Sequence, residues 1–178
     1  MSPCLSIEAL RCYFAGDLAE EEALRLEDHV FECGACARLF EREGAMSLAL
    51  RAQIPPVITH HRLAALERAG LAVKKAVIAP GPTVDVTFSA DLALLINALS
   101  VNADDADRLD LTITDGSGQT IAEVPAIPYD RGSGEVLIAC QRHYEEAFPP
   151  LVRFELTAVK GNERRSVGSY AVNHLWER

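Results

Sequence analysis

The chain has 178 residues, 49% hydrophobic and 24% charged, with a formal net charge of −9, which suits one medium globular domain or two small ones. No run of about 18 apolar residues occurs, so no membrane-spanning helix is expected; the richest apolar stretch, Leu92 to Leu99, is far too short. The acidic balance speaks against direct nucleic-acid binding, which needs basic surface to neutralise phosphates, and it fits a basic protein partner or simply a well-solvated surface.

The opening Met1-Ser-Pro-Cys-Leu5 lacks a basic n-region and an apolar h-region, so no secretory leader is expected. The five cysteines are odd in number and two of them form a C-x2-C pair. That pattern points to metal or redox chemistry rather than a disulfide scaffold, and to the reducing cytoplasm as the compartment.

Residues 1–53 read as helical, with Ile7 and Val30 the only β-branched residues there and no threonine. The first helix is expected over Ile7 to Phe14, with Ser6 as its cap, Glu8 in the first turn and Gly16 as the stop. Leu10, Tyr13 and Phe14 form its apolar stripe. A second helix opens at Asp17-Leu-Ala-Glu20, which has the spacing of a capping box. Its first turn is acidic (Glu20, Glu21, Glu22). Ala23, Leu26 and Val30 line one face, widened by Leu24 and Phe31. It ends near Cys33, and a third helix begins around Gly34 to Cys36 with Leu39, Phe40, Met46 and Leu50 at helical spacing.

At the junction of the second and third helices stands His29-x3-Cys33-x2-Cys36. Zn²⁺ prefers thiolate and imidazole ligands in a tetrahedron. A spacing of four puts His29 and Cys33 on one helix face, and a C-x2-C turn brings two sulfurs to one ion. The fourth ligand is Cys4 or Cys12. The short connection between the first two helices makes them antiparallel neighbours. The start of the first helix then lies beside the end of the second, which favours Cys4; Cys12 is roughly 12 Å further along, at about 1.5 Å per residue. Cys12 then reads as a small buried hydrophobe.

Pro55 and Pro56 break the helical region. A linker is expected over 54–71, with a fourth helix at Thr59 to Ala69. Its adjacent His60 and His61 read as surface or capping residues. From Leu71 onward Val, Ile and Thr are frequent. Strands are expected at Ala72–Ile78, Thr83–Phe88, Leu109–Thr114, Thr120–Val124, Glu135–Cys140, Leu151–Val159 and Ser166–Asn173. Asp115-Gly-Ser-Gly118 and Gly161-Asn-Glu read as turns. Asp91–Val101 fits either a buried strand or a short helix, and Asn102 to Asp107 a solvated loop. The fold class is therefore an α + β two-domain chain: a zinc-stapled helical bundle at 1–53, then a small antiparallel β-sandwich, Ig-like or similar, at 72–178.

The β region carries little chemistry. Cys140-x2-His143, with His174 near the end, is a weak second metal candidate, and Cys140 reads most simply as a core residue. No P-loop, Rossmann glycine pattern or G-x-S-x-G occurs, and no carboxylate pair stands out, so the chain is not expected to be an enzyme.

Residues 4 to about 52 resemble the zinc-binding anti-sigma factor domain. The resemblance lies in the aromatic-Ala-Gly16-Asp17-Leu18 loop, the acidic opening of the second helix and His29-x3-Cys33-x2-Cys36. It also includes an upstream ligand about 25 residues before the histidine, where Cys4 stands. The resemblance covers less than a third of the chain. It implies a zinc bundle that binds an extracytoplasmic-function sigma factor and keeps it from RNA polymerase, without nucleic-acid or membrane contact of its own. The β region would be a sensor or regulatory module, and oxidation of Cys33 and Cys36 would free the partner. The competing expectation is a zinc-stabilised protein–protein adaptor with a different partner.

Overall fold

The computed structural model describes residues 4–53 and 56–177. Met1 to Pro3, on which the expectation of no secretory leader partly rests, and Pro55, expected as a helix breaker, lie outside the described residues. The chain forms two compact units, Met1–Ile54 and Pro55–Arg178. No helix among the described residues is long and apolar enough to cross a membrane.

The first unit is helical. α1 (Ile7–Ala15) starts at Ser6, whose hydroxyl accepts the Ala9 N–H at 3.1 Å, and stops at Gly16 with φ of 75°, a left-handed cap that suits glycine. α2 (Glu20–Glu32) starts later than the expected capping box. Its N-cap is Ala19, which offers no side-chain acceptor, so half the box remains: the Glu22 carboxylate accepts the Ala19 N–H at 3.3 Å. α3 spans Gly34–Gln53.

Leu10, Leu26 and Cys36 are the buried apolar residues among the described residues of this unit. Tyr13, Phe14 and Phe40 form an aromatic cluster with centroids 4.8–5.4 Å apart. The Tyr13 hydroxyl ties α1 to α2 by donating to Glu27 at 2.6 Å. Gly44 lets α3 approach this cluster, since a Cβ there would sit 3.0 Å from Phe14 Cζ. The expected apolar faces of α2 and α3 are only partly used. Leu24, Phe31, Met46 and Leu50 are exposed, whereas Glu43 is buried and paired with Arg11 and Arg42 at 3.6 and 3.3 Å.

The second unit holds β1 (Val57–Ile58), α4 (His60–Arg68), β2 (Val73–Ile78), β3 (Val84–Phe88), β4 (Leu94–Ser100), β5 (Arg108–Asp115), β6 (Thr120–Ile127), β7 (Glu135–Cys140), α5 (Tyr144–Ala147), β8 (Leu151–Lys160) and β9 (Glu163–Trp176). They make a four-stranded sheet, β1-β7-β4-β2, and a five-stranded sheet, β3-β9-β8-β5-β6. The sheets are mixed rather than wholly antiparallel: β2 runs parallel to β4, and β3 parallel to β9. The reason is topological. The chain leaves β2, adds β3 to the other sheet, and returns to β4 in the same direction.

The two sheets meet across a shared interior. The Tyr170 hydroxyl on β9 donates to the Ser100 carbonyl on β4 at 2.6 Å. Tyr170 is fully buried and lies over Gly168, where a Cβ would meet its hydroxyl oxygen at 2.3 Å and its ring at 2.5 Å. On the other side of the four-stranded sheet, Leu63 of α4 packs with Leu94, Ile96, Ala98, Leu137 and Ala139. The segment expected as a linker thus supplies an edge strand and a covering helix. His60, at the start of α4, is not a free surface residue: its Nε2 lies 2.9 Å from Glu135 and its Nδ1 3.5 Å from Asp130.

The ambiguous stretch is β4, buried on every residue from Leu94 to Leu99. β6 runs past its expected end through Pro125 to Ile127. As an edge strand it tolerates a proline, and the register shifts there. Ala126 in that bulge has φ of 53°, and its N–H donates to Asp110 at 3.0 Å.

Candidate metal centre

Three elements deliver the cysteines. Cys4 precedes α1 by three residues, Cys33 closes α2, and Cys36 lies in the first turn of α3. The two helices are nearly continuous. The Cys33 N–H donates to the His29 carbonyl at 2.9 Å, and the Cys33 carbonyl accepts the Ala37 N–H at 2.9 Å. Cys33 thus donates the last hydrogen bond of one helix and accepts one from the next, so it stands at the junction of the two.

The sulfurs of Cys4, Cys33 and Cys36 lie within 4.8 Å of one another, close enough to bind one metal ion. Cys36 is buried, Cys33 half-buried and Cys4 exposed, so the group has one side in the bundle and one at the surface. The backbone N–H of Leu5 donates to Cys36 Sγ at 3.4 Å. Of the two candidates for the upstream ligand, it is Cys4 that joins the group. Cys12 stands elsewhere on α1, where its carbonyl accepts the Asp17 N–H at 3.0 Å.

The electrostatics suit a cation. The Cys33 thiol is held below its ordinary range, first by the backbone N–H of Cys36, then by the Cys36 thiol and the Ala35 N–H. Amides at a helix N-terminus stabilise a thiolate in this way. Cys4 is pushed the other way, chiefly by its hydrogen bond and charge repulsion with Cys36. Three thiols this close do not all ionise without a positive charge between them.

His29 has a different standing. It is not part of the three-sulfur group, but its Nε2 is buried and has no hydrogen-bond partner among the described residues. A buried imidazole nitrogen left unpaired is costly, and a metal ligand is the kind of partner that relieves it. The donor set therefore fits a soft or borderline divalent ion: three thiols in a cluster and an orphaned imidazole one helical turn before Cys33.

The second metal candidate changes composition. His143 does not join Cys140; its ring packs on Tyr144 at 4.1 Å. His174 does, with Nε2 3.9 Å from Cys140 Sγ. Asn97 completes this buried group, its Nδ2 lying 3.0 Å from His174 Nε2 and 3.4 Å from Cys140 Sγ. The sequence reading overlooked Asn97; its signal was a single polar residue inside the apolar run Leu94–Leu99.

No family model matches the chain, and no curated protein matches it. Among solved structures, the N-terminal domain of phage TP901-1 ORF48 is similar to 60% of this chain and 98% of its own, at 9% identity and a TM-score of 0.37. That likeness is too remote to carry an argument about fold or function.

Proposed function

We propose that the chain is an anti-sigma factor whose helical unit is stapled by Zn²⁺ and sequesters an extracytoplasmic-function sigma factor. The observation that carries this reading is the convergence of Cys4, Cys33 and Cys36, at the positions the zinc-binding anti-sigma domain pattern requires. Cys4, His29, Cys33 and Cys36 would hold the ion. When bound, Zn²⁺ supplies a structural cross-link that contributes directly to folding.

The chain's own residues would do the rest. Leu5 to Gly16 is tied to α2 through Tyr13 and Glu27, and to the start of α3 through Leu5 and Cys36. This arrangement leaves apolar side chains outward: Phe31 is 89% exposed, Leu48 71% and Leu24 54%. Leu24 and Phe31 are seven residues apart and share one face of α2. Glu20, Glu21 and Glu22 add negative charge at the start of the same helix. An apolar stripe with an acidic end complements a basic, amphipathic partner, the character this reading expects of the sigma factor's docking surface. The second unit, an Ig-like sandwich in this reading, would tune the response. Oxidation of Cys33 with Cys36 would loosen the staple.

Affinity capture from extract of the source cells tests the reading. The wild-type chain should enrich one sigma factor under reducing, zinc-replete conditions, and a His29→Ala/Cys33→Ala variant should lose it. Enrichment of other proteins with no sigma factor would replace this reading by that of a zinc-stabilised adaptor.

A further inference from the structure

Where β5 begins and β6 ends, the second unit has an open hollow of about 330 Å³, at the small end of ligand sites. Leu109, Ala126 and Ile127 give it apolar surface. Tyr129 lines it too, its hydroxyl engaged by the Val101 carbonyl and Asp104 at 3.4 and 3.2 Å. The charged residues of the lining are Arg108, Arg131 and Asp107. Two guanidinium groups thus face one carboxylate, in a chain whose net charge is −9.

The two cations are held in different ways. Arg108 meets Asp110 through Nε at 3.1 Å, which leaves the two terminal nitrogens of its planar fork for another acceptor. Asp110 is buried; its Oδ1 also accepts the Ala126 N–H at 3.0 Å, and its Oδ2 lies 3.0 Å from Arg164 Nη1. Burial would raise this carboxyl, but the Ala126 N–H and the two arginines outweigh it, so Asp110 is charged at neutral pH. The Ala126 contact depends on the bulge. The β5–β6 register shifts between Leu109 and Leu111, and Ala126 takes φ of 53°, a conformation that side chains other than glycine rarely adopt. The bulge therefore fixes Asp110, and Asp110 fixes Arg108. Arg131 pairs with no carboxylate among the described residues; its Nη2 donates to the Ala106 carbonyl. Asp107, the carboxylate of the lining, already accepts the Gly161 N–H at 2.7 Å.

We propose that this hollow binds a small organic monocarboxylate, the carboxylate on Arg108 and Arg131 and the apolar body on Ala126 and Ile127. Guanidinium forks match the two oxygens of a carboxylate in both geometry and charge. Set against Asp107, the two arginines leave one net positive charge, which suits a monoanion better than a phosphate dianion. The inference stands apart from the sigma-factor reading, because it concerns only the second unit.

Amide chemical-shift titrations of the intact chain at constant ionic strength test it. Butyrate is the probe, and butyramide is the control of the same shape without the charge. Butyrate should move the amides of residues 106–109 and 126–131 saturably. Butyramide should bind about tenfold more weakly, the worth of two exposed charge-assisted contacts. Inorganic phosphate should bind no more tightly than butyrate. Arg131→Gln, a change at an exposed turn position, should weaken butyrate about tenfold, and Arg153→Gln on β8 should leave it unchanged. No saturable shift with butyrate, equal binding of butyrate and butyramide, or shifts centred on the 160–165 hairpin would each overturn the proposal. So would full affinity in Arg131→Gln. Tighter binding of phosphate would overturn the carboxylate assignment. The wild-type comparison of butyrate with butyramide decides the matter even if a variant does not fold.

Discussion

The backbone N–H of Leu5 points at the sulfur of Cys36, 31 residues away, at 3.4 Å. This contact joins the segment before α1 to the first turn of α3 and places Cys4 beside Cys33 and Cys36.

If these thiols form one centre, they act as a set. Single Cys4→Ala, Cys33→Ala and Cys36→Ala variants should each lower bound zinc from about one ion per chain to well below it, whereas Cys12→Ala should keep it. His29→Ala should weaken zinc by about tenfold or more, because a three-ligand site holds it less tightly. Metal analysis after dialysis against a graded chelator measures this. Full zinc retention by Cys4→Ala would remove Cys4 from the centre.

Chelation itself should act on one unit. Stripping the metal should reduce helical circular dichroism and leave the near-ultraviolet signal of Trp176 and Tyr170 largely unchanged, since the sheets close their own core. Loss of both signals together at the same chelator concentration would contradict independent units.

Exposed apolar residues on α2 should matter for a partner and not for folding. Phe31→Ala removes a side chain 89% exposed, so its effect on stability should fall within about 0.5 kcal/mol. Its effect on partner affinity should exceed tenfold if α2 is the docking face. Melting curves and a binding titration on the same samples separate the two.

Asp110 sets an acid limit on the second unit. Burial alone would raise its pKa, but the Ala126 N–H, then Arg108 and Arg164, outweigh it and hold the carboxyl below its ordinary range. A carboxyl with a depressed folded-state pKa stabilises fully above its unfolded value of about 3.9. That contribution is lost as pH falls through the folded-state value. Denaturant unfolding should therefore show stability declining below about pH 4. Asp110→Asn should cost about 1 to 3 kcal/mol at neutral pH and flatten that decline. An unaltered acid limb in the variant would assign it to other carboxylates.

Much of the helical unit could be read directly, because its signals are local. Ser6, Gly16 and the Cys33–Cys36 turn mark the ends of α1, α2 and α3 without reference to the rest of the chain. Antiparallel geometry was enough to prefer Cys4 to Cys12. What failed there was burial: heptad-like spacing put Phe31 and Met46 on a presumed core face, and spacing alone does not reveal whether a partner or the bundle covers it. The β unit was harder for a different reason. β4 is covered by α4 on one side and by the facing sheet on the other, so Leu94 to Leu99 shows no alternation, and periodicity cannot separate strand from helix. The parallel pairing of β2 with β4 depends on β3 crossing to the other sheet, a long-range choice with no local mark. Asn97, Cys140 and His174 meet only because three strands bring them together.

The most direct test of the account is promoter-dependent transcription with the captured sigma factor and core RNA polymerase. Added at stoichiometric amounts, the zinc-loaded chain should abolish transcripts from that factor's promoters, and the Cys4→Ala or Cys33→Ala chain should not. Undiminished transcription with the zinc-loaded chain in excess would contradict the proposed function outright.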